Sequence, residues 1–298
     1  IPEYKDLKVA VATISGSEGR KFAATDTDTL ATYLPRLGQV PLDFQPGTRW
    51  AYSAAAGFDV LSRIVEVAAG TPIDRFLKEG LFDPLGMKDT TYIPPKGNAR
   101  LTTLYSRTTD GLRPQNDPNF MNGVYFSGGG GLFSTAEDYF QFAQMLVNGG
   151  QLNGRHFLSP RLVELMGSVY APDTLPGRPR GESYGLSVRV VNDPIARNSF
   201  LSEGSFGWSG LFGTHFWVDP KEKVVGILMA QTLVPGIRED FGQVGRVVPQ
   251  AVLEGVQLSG SASRDQFGLG RSPCVRHMVR RVLPMKAFAA ALLLCLSC

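Results

Sequence analysis

Cysteine is nearly missing from this 298-residue chain: Cys274, Cys295 and Cys298 all lie within the last 25 positions. The body therefore carries neither a disulfide framework nor a cysteine-based metal site. Histidine is as scarce, and His156, His215 and His277 stand too far apart to make a ligand-spaced pair, so the sequence calls for no metal and no cofactor. Blocks of one charge are lacking as well. The 30 basic and 27 acidic residues are interspersed and leave a net charge of +3, which describes a mixed solvated surface and gives no stripe for nucleic acid. What is present is ordinary for a globular protein: 43% hydrophobic and 19% charged residues, in a chain long enough to bury a substantial core.

Methionine is also missing until Met87, which suggests a processed product or a fragment. The far end, MKAFAAALLLCLSC from Met285 to Cys298, has the grammar of a bacterial secretory leader, but such leaders work at the N-terminus. Its uncharged run is too short for a stable membrane span. The stretch before it, SGSASRDQFGLGRSPCVRHMVRR, shows no apolar period. Residues 259–298 are therefore expected to be an extraneous or disordered tail, and residues 1–258 to form the domain.

Within the domain the elements alternate legibly. Leu61, Ile64, Val65 and Ala68 recur with helical spacing between Phe58 and Ala69, and Gly70 supplies the stop. A short helix is expected from Ile73 to Leu81, ending at Asp83-Pro84, and a long loop from Asn98 to Asn122. The glycines of SGGGGLFSTAED, Ser127 to Asp138, are not followed by Gly-Lys-Ser/Thr, so they are no phosphate cradle. Ser134 with Glu137 instead spells a capping box, opening a helix to Val147 that stops at Gly149-Gly150. Another helix is expected over Pro160 to Met166. From Tyr184 to Val191 the period becomes that of a strand, and Thr214 to Ala230 reads as two strands joined at Asp219-Pro220. Asp240 to Val256 is expected to be helical, kinked by Pro249. A mainly helical region over 34–180, then a sheet and closing helix over 181–258, make the fold class α+β.

Four blocks then carry a family resemblance. PLDFQPGTRWAYSAAAGFDVLSRIVEVAAG, SGGGGLFSTAEDYFQFAQMLVNGGQLNG, LSPRLVELM and GSFGWSGLFGTHFWVDPKEKVVGILMAQT follow one another in the order seen in the β-lactamase-like serine hydrolases. That group holds class C β-lactamases, penicillin-binding proteins and related carboxylesterases, and the similarity covers roughly Leu34 to Thr232. It implies a helical subdomain beside an antiparallel sheet flanked by helices. It also implies acyl-enzyme chemistry on a small-molecule ester or amide, in a periplasmic or secreted protein. In such enzymes a serine of a Ser-x-x-Lys motif attacks the carbonyl, and a tyrosine exchanges the proton. Tyr52 matches that tyrosine, with Ser53 beside it. A neighbouring ammonium would favour its phenolate and so its action as a base. The third motif, usually Lys-Thr/Ser-Gly, matches Trp208-Ser209-Gly210, whose backbone would supply a donor to the oxyanion. Ser205-Phe206-Gly207 can align with the same motif, and an ordinary hydrogen bond for Tyr52 or a core place for Trp208 are the alternative readings.

Departures from the pattern shape the expectation. No serine in the chain is followed three residues later by lysine. The resemblance thus implies a chain lacking the N-terminal part that carries the nucleophile, with the family's first two strands missing and an edge left unpaired. Ala54 stands where β-lactamases tend to carry an asparagine, and Trp208 stands in place of the lysine that meets a β-lactam carboxylate; both point to a carboxylesterase. Three further readings stay open. They are a β-lactamase or D-Ala-D-Ala peptidase-like protein, a non-catalytic binding module, and an α/β-hydrolase, although GWSG lacks the final glycine of that fold's nucleophile motif.

Overall fold

The computed structural model of the chain describes residues 24–25, 27–39, 44–50, 56–115, 124–172, 174–176 and 178–233. The expectations for 240–256 and for the tail 259–298 fall outside them. Helix α1 (Leu30–Leu37) opens on Thr29, whose side chain accepts from the Thr32 N–H while Thr32 returns the bond. Helix α2 spans Ala56–Ala69 and stops at Gly70, which adopts φ 65°.

The next helical stretch departs from expectation. Helix α3 (Ile73–Leu77) runs into a π turn over Lys78–Phe82 and continues as α4 (Asp83–Leu85), through the Asp83-Pro84 pair instead of ending there. The wider π turn gives the proline ring the room that an α-helical turn would deny it, so the helical path passes Pro84. Gly86 in the left-handed region, φ 77°, ends the run. The segment expected as a loop from Asn98 contains a hairpin, β1 (Tyr105–Thr108) and β2 (Gly111–Pro114), and β1 also pairs in parallel with β10 (Thr232–Leu233).

Helix α5 covers Ala136–Val147 and ends before Gly149-Gly150, as expected. Its cap does not match. Thr135, not Ser134, accepts from the Asp138 N–H, and the Ser134 hydroxyl instead meets Thr90 Oγ1 at 2.8 Å. The β3–β4 ribbon (Gln151–Leu152, Arg155–His156) leads to helix α6 (Pro160–Met166), capped by Ser159 with proline in its first turn.

One strand was expected over Tyr184 to Val191, but two form there: β5 (Glu182–Tyr184) and β6 (Arg189–Val191). A Cβ on Gly185 would lie 1.7 Å from the Met166 carbonyl oxygen, so only glycine lets the chain turn at that point. After α7 (Pro194–Arg197) come β7 (Phe206–Ser209), β8 (His215–Asp219) and β9 (Val224–Leu228). The Asp219 carboxylate accepts from the backbone N–H groups of Ser202, Lys221 and Glu222, which fixes the β8–β9 turn. The five strands form one antiparallel sheet in the order β5-β6-β7-β8-β9. Among the described residues β9 has β8 on one side and no strand on the other.

One face of the sheet is dry because α5 lies on it. Tyr139, Phe142 and Met145 pack in one cluster with Phe206, Phe216, Val218 and Val225, and the Tyr139 ring meets Phe216 edge-on at 5.1 Å. A smaller cluster on the other face joins Val191, Leu201, Trp217 and Val224. Helix α2 is anchored differently. Asp59, 2% exposed, accepts from Tyr125 Oη at 2.6 Å, Ser127 Oγ at 2.6 Å and the Gly128 N–H at 2.9 Å. A Cβ at Gly128 would fall 2.2 Å from both Phe58 O and Ser62 Oγ, so the glycine run lets a loop press onto the helix backbone. No helix among the described residues is long and apolar enough to cross a membrane.

Candidate active site

Strand β7 places Trp208, Ser209 and Gly210 where its pairing changes. Its contact with β6 stops at Gly207, opposite Arg189, while its pairing with β8 runs on to Ser209 opposite His215. Backbone N–H groups alternate sides along a strand. The Gly210 N–H donates to Thr214 O at 2.9 Å, on the β8 side. The N–H and C=O of Ser209 therefore face the other way, past the end of β6. Ser205-Phe206-Gly207, the other stretch that can align with the third motif, is covered on that side by Val190 and Arg189 of β6 and by a Val191 N–H donating to Ser205 O.

The Ser209 hydroxyl belongs to a network on the sheet face. Arg189 Nη2 donates to Ser209 Oγ at 2.7 Å, and Oγ lies 2.8 Å from His215 Nδ1. Burial, and secondly the positive charge of Arg189, push His215 down to about 4. At neutral pH the imidazole is uncharged. The neutral ring carries one hydrogen, and the Ser209 hydroxyl, which accepts from Arg189, can either donate to Nδ1 or accept from it. Arg189 also lies 5.4 Å from the Trp208 ring centroid and 3.5 Å from the Glu182 carboxylate, which Arg197 Nε meets at 2.9 Å.

The turn before Tyr52 reaches this edge through aromatic rings. Gly47 takes φ 81° and the Thr48 hydroxyl donates to Gln45 O at 2.6 Å, closing the turn. The Arg49 guanidinium rests over Phe44 at 4.7 Å. The Trp50 N–H donates to Pro176 O at 3.2 Å, and its indole stacks on Tyr184, with centroids 4.5 Å apart and planes at 22°. Tyr184 meets Trp208 edge-on at 5.9 Å and 63°. The structure thus joins Trp50, two residues before Tyr52, to Trp208 through one shared ring. Tyr52, Ser53 and Ala54 themselves lie outside the described residues.

Sequence reading missed Tyr184, Arg189, Glu182 and His215. Tyr184 and His215 were placed on expected strands, but a period of two fixes the face a side chain takes and not the ring or hydroxyl it meets. Arg189 carried no signal beyond a charge in an apolar strand.

The family model described as Beta-lactamase matches residues 9–244. Protein Rv1367c of Mycobacterium tuberculosis is 33% identical over 214 residues, covering 67% of this chain and 53% of that protein. Esterase EstB of Burkholderia gladioli is 27% identical over 223 residues, covering 68% of this chain and 55% of its own length. The chain spans about half the length of the curated relatives it matches. Among solved structures, EstCE1, a hydrolase with promiscuous acyltransferase activity, is similar with a TM-score of 0.61 at 23% identity, over 70% of this chain and 57% of that one. That likeness is one of fold.

Proposed function

Because the chain belongs to the β-lactamase family, we propose that the full-length protein is a serine hydrolase that cleaves small carboxylic esters through an acyl-enzyme. The attacking serine and its lysine come from a part of the full-length protein outside these 298 residues, none of which forms Ser-x-x-Lys. The serine oxygen adds to the ester carbonyl as Tyr52 takes its proton. The carbonyl oxygen becomes an oxyanion facing the open backbone edge at Ser209, where a fixed N–H stabilises the charge. Collapse of the intermediate expels the alcohol, which receives the proton back from Tyr52, and water then repeats the sequence on the acyl-serine.

The observation that carries this reading is the row Trp50, Tyr184, Trp208, which brings the turn ending at Trp50, two residues before Tyr52, beside that edge. Trp208 and Ala54 favour esters over β-lactams, since neither an indole nor a methyl group supplies the cation or amide that a penicillin's substituents would meet. Arg189, the nearest guanidinium on β6, is already engaged by Ser209 and Glu182.

The test compares the 298-residue chain and the full-length protein on p-nitrophenyl acetate and nitrocefin, with fluorophosphonate labelling. The chain should show neither turnover nor label. The full-length protein should label on serine and give the larger kcat/KM on the ester, and Tyr52→Phe should lower its kcat about 10²–10⁴-fold. A larger kcat/KM on nitrocefin would replace the esterase reading with a β-lactamase one. An unlabelled full-length protein would leave a non-catalytic binding module.

A further inference from the structure

We propose that Tyr184 is a positioning residue: its ring is the latch through which the β5–β6 hairpin holds the turn ending at Trp50, which leads to Tyr52, against the strand carrying Trp208 and Ser209. The proposal rests on the hydrolase reading above. It goes beyond that reading by giving a role to a side chain that performs no chemistry.

The hairpin is built to be rigid. Ser183, fully buried, donates its hydroxyl to Ala171 O at 2.8 Å, and the Glu182 carboxylate is held between Arg189 and Arg197. Tyr184 and Arg189 are cross-strand partners, so one hairpin reaches Trp208 twice, by a ring at 5.9 Å and by a guanidinium at 5.4 Å. From this fixed base the Tyr184 ring presents a face to Trp50, stacked at 4.5 Å. The turn meets the rest of the molecule through this stack and through the Trp50 N–H bond to Pro176 O. The bond ends on a loop, and the stack ties the turn to the sheet.

Connectivity does the rest. Tyr52 follows Trp50 by two residues, at most about 7 Å along the chain. A group that must pass a proton at hydrogen-bond distance loses rate steeply when its anchor loosens. The stack is made by the ring, which phenylalanine keeps, so phenylalanine should serve in place of tyrosine. If Tyr184 were instead a wall of the substrate pocket, its loss would weaken binding and leave turnover alone.

The latch can be read on this chain without activity. Trypsin cuts after Arg49, directly before the stacked Trp50, and cleavage needs that segment to open locally. In Tyr184→Ala we expect cleavage at Arg49 to quicken about three- to tenfold, with cleavage at Arg155 in β4, followed by His156, unchanged and Tyr184→Phe matching the parent. An unchanged Arg49 rate, or both sites quickening alike, would overturn the latch. In the full-length protein, Tyr184→Ala should lower kcat on p-nitrophenyl acetate about tenfold or more, with KM within about twofold, and Tyr184→Phe should restore it. A raised KM at unchanged kcat would overturn the positioning role. Tyr52→Phe is run beside it: full activity there would defeat the catalytic reading of Tyr52, while the trypsin result would still decide the latch.

Discussion

The two longest described helices solve the same problem in opposite ways. Helix α5 buries Tyr139, Phe142, Met145 and Leu146 against the sheet. Helix α2 buries Asp59 and Ser62 and leaves Val60, Leu61, Ile64 and Val67 between 40% and 66% exposed. Both have apolar residues at helical spacing. What separates them is the strength of the competing anchor. Phe58 and Val65 of α2 touch the main core, but Asp59 takes three donors, each hydrogen bond to a charged group contributing about 1.5–3 kcal/mol. Turning the helix to cover Leu61 and Ile64 would gain only part of the roughly 1.5–3 kcal/mol that full burial of each gives, because both are already partly covered, and it would break all three bonds. An apolar period therefore identifies a helix without saying which stripe faces in.

The strongest way to break the comparison is to remove each anchor and read denaturant unfolding. Phe142→Ala should cost about 3–5 kcal/mol, as a cavity in the main core. Asp59→Asn keeps the shape and removes the charge, and should cost about 2–3 kcal/mol. If Asp59→Asn proved neutral, the polar anchor would be incidental and the apolar residues of α2 would hold it.

A smaller effect comes from pH, to which an apolar anchor is blind. His215 is held at about 4, below its usual value of 6.5, so the unfolded chain binds more protons between those limits. Stability should be fully present above pH 6.5 and fall as pH drops towards 4, by on the order of 1–3 kcal/mol. His215→Gln should flatten that slope in melts run from pH 7 to pH 4.5. An unchanged slope would remove His215 as its source.

The smallest effect sharpens the contrast from the other side. Ile64→Lys, at a position 57% exposed, should change stability by no more than about 0.5 kcal/mol. A loss above about 1 kcal/mol would mean that the apolar stripe of α2 is covered in solution.

Much of the architecture was legible where local chemistry decides it. Proline after Ser159 marks the start of α6, and Asp219-Pro220 marks the β8–β9 turn. The cap of α5 was misplaced by one residue because Ser134 and Thr135 are adjacent and equally able to cap; a tertiary bond from Ser134 to Thr90 decides between them. The β5–β6 turn was hidden because Gly185 reads as a weak strand residue until the Met166 carbonyl beside it is seen. Of the candidate site, the Trp208 stretch was singled out in the sequence by the family resemblance. Its supports were not, since Tyr184, Arg189 and His215 act through partners on other strands. Asp59 was hidden for a simpler reason: a carboxylate in a helix ordinarily reads as surface.

Strand β9, Val224-Val225-Gly226-Ile227-Leu228, has a consequence for the behaviour of many copies together. In any copy whose outer β9 edge stands uncovered, that row of amides and carbonyls would pair with the same row of a second molecule. The segment is apolar, uncharged and free of proline, the composition that stacks into fibrils once a first pair has formed. Loss of soluble protein on storage should then begin at this strand, rise steeply with concentration and be hastened by seeds, while the folded interior of each copy stays intact.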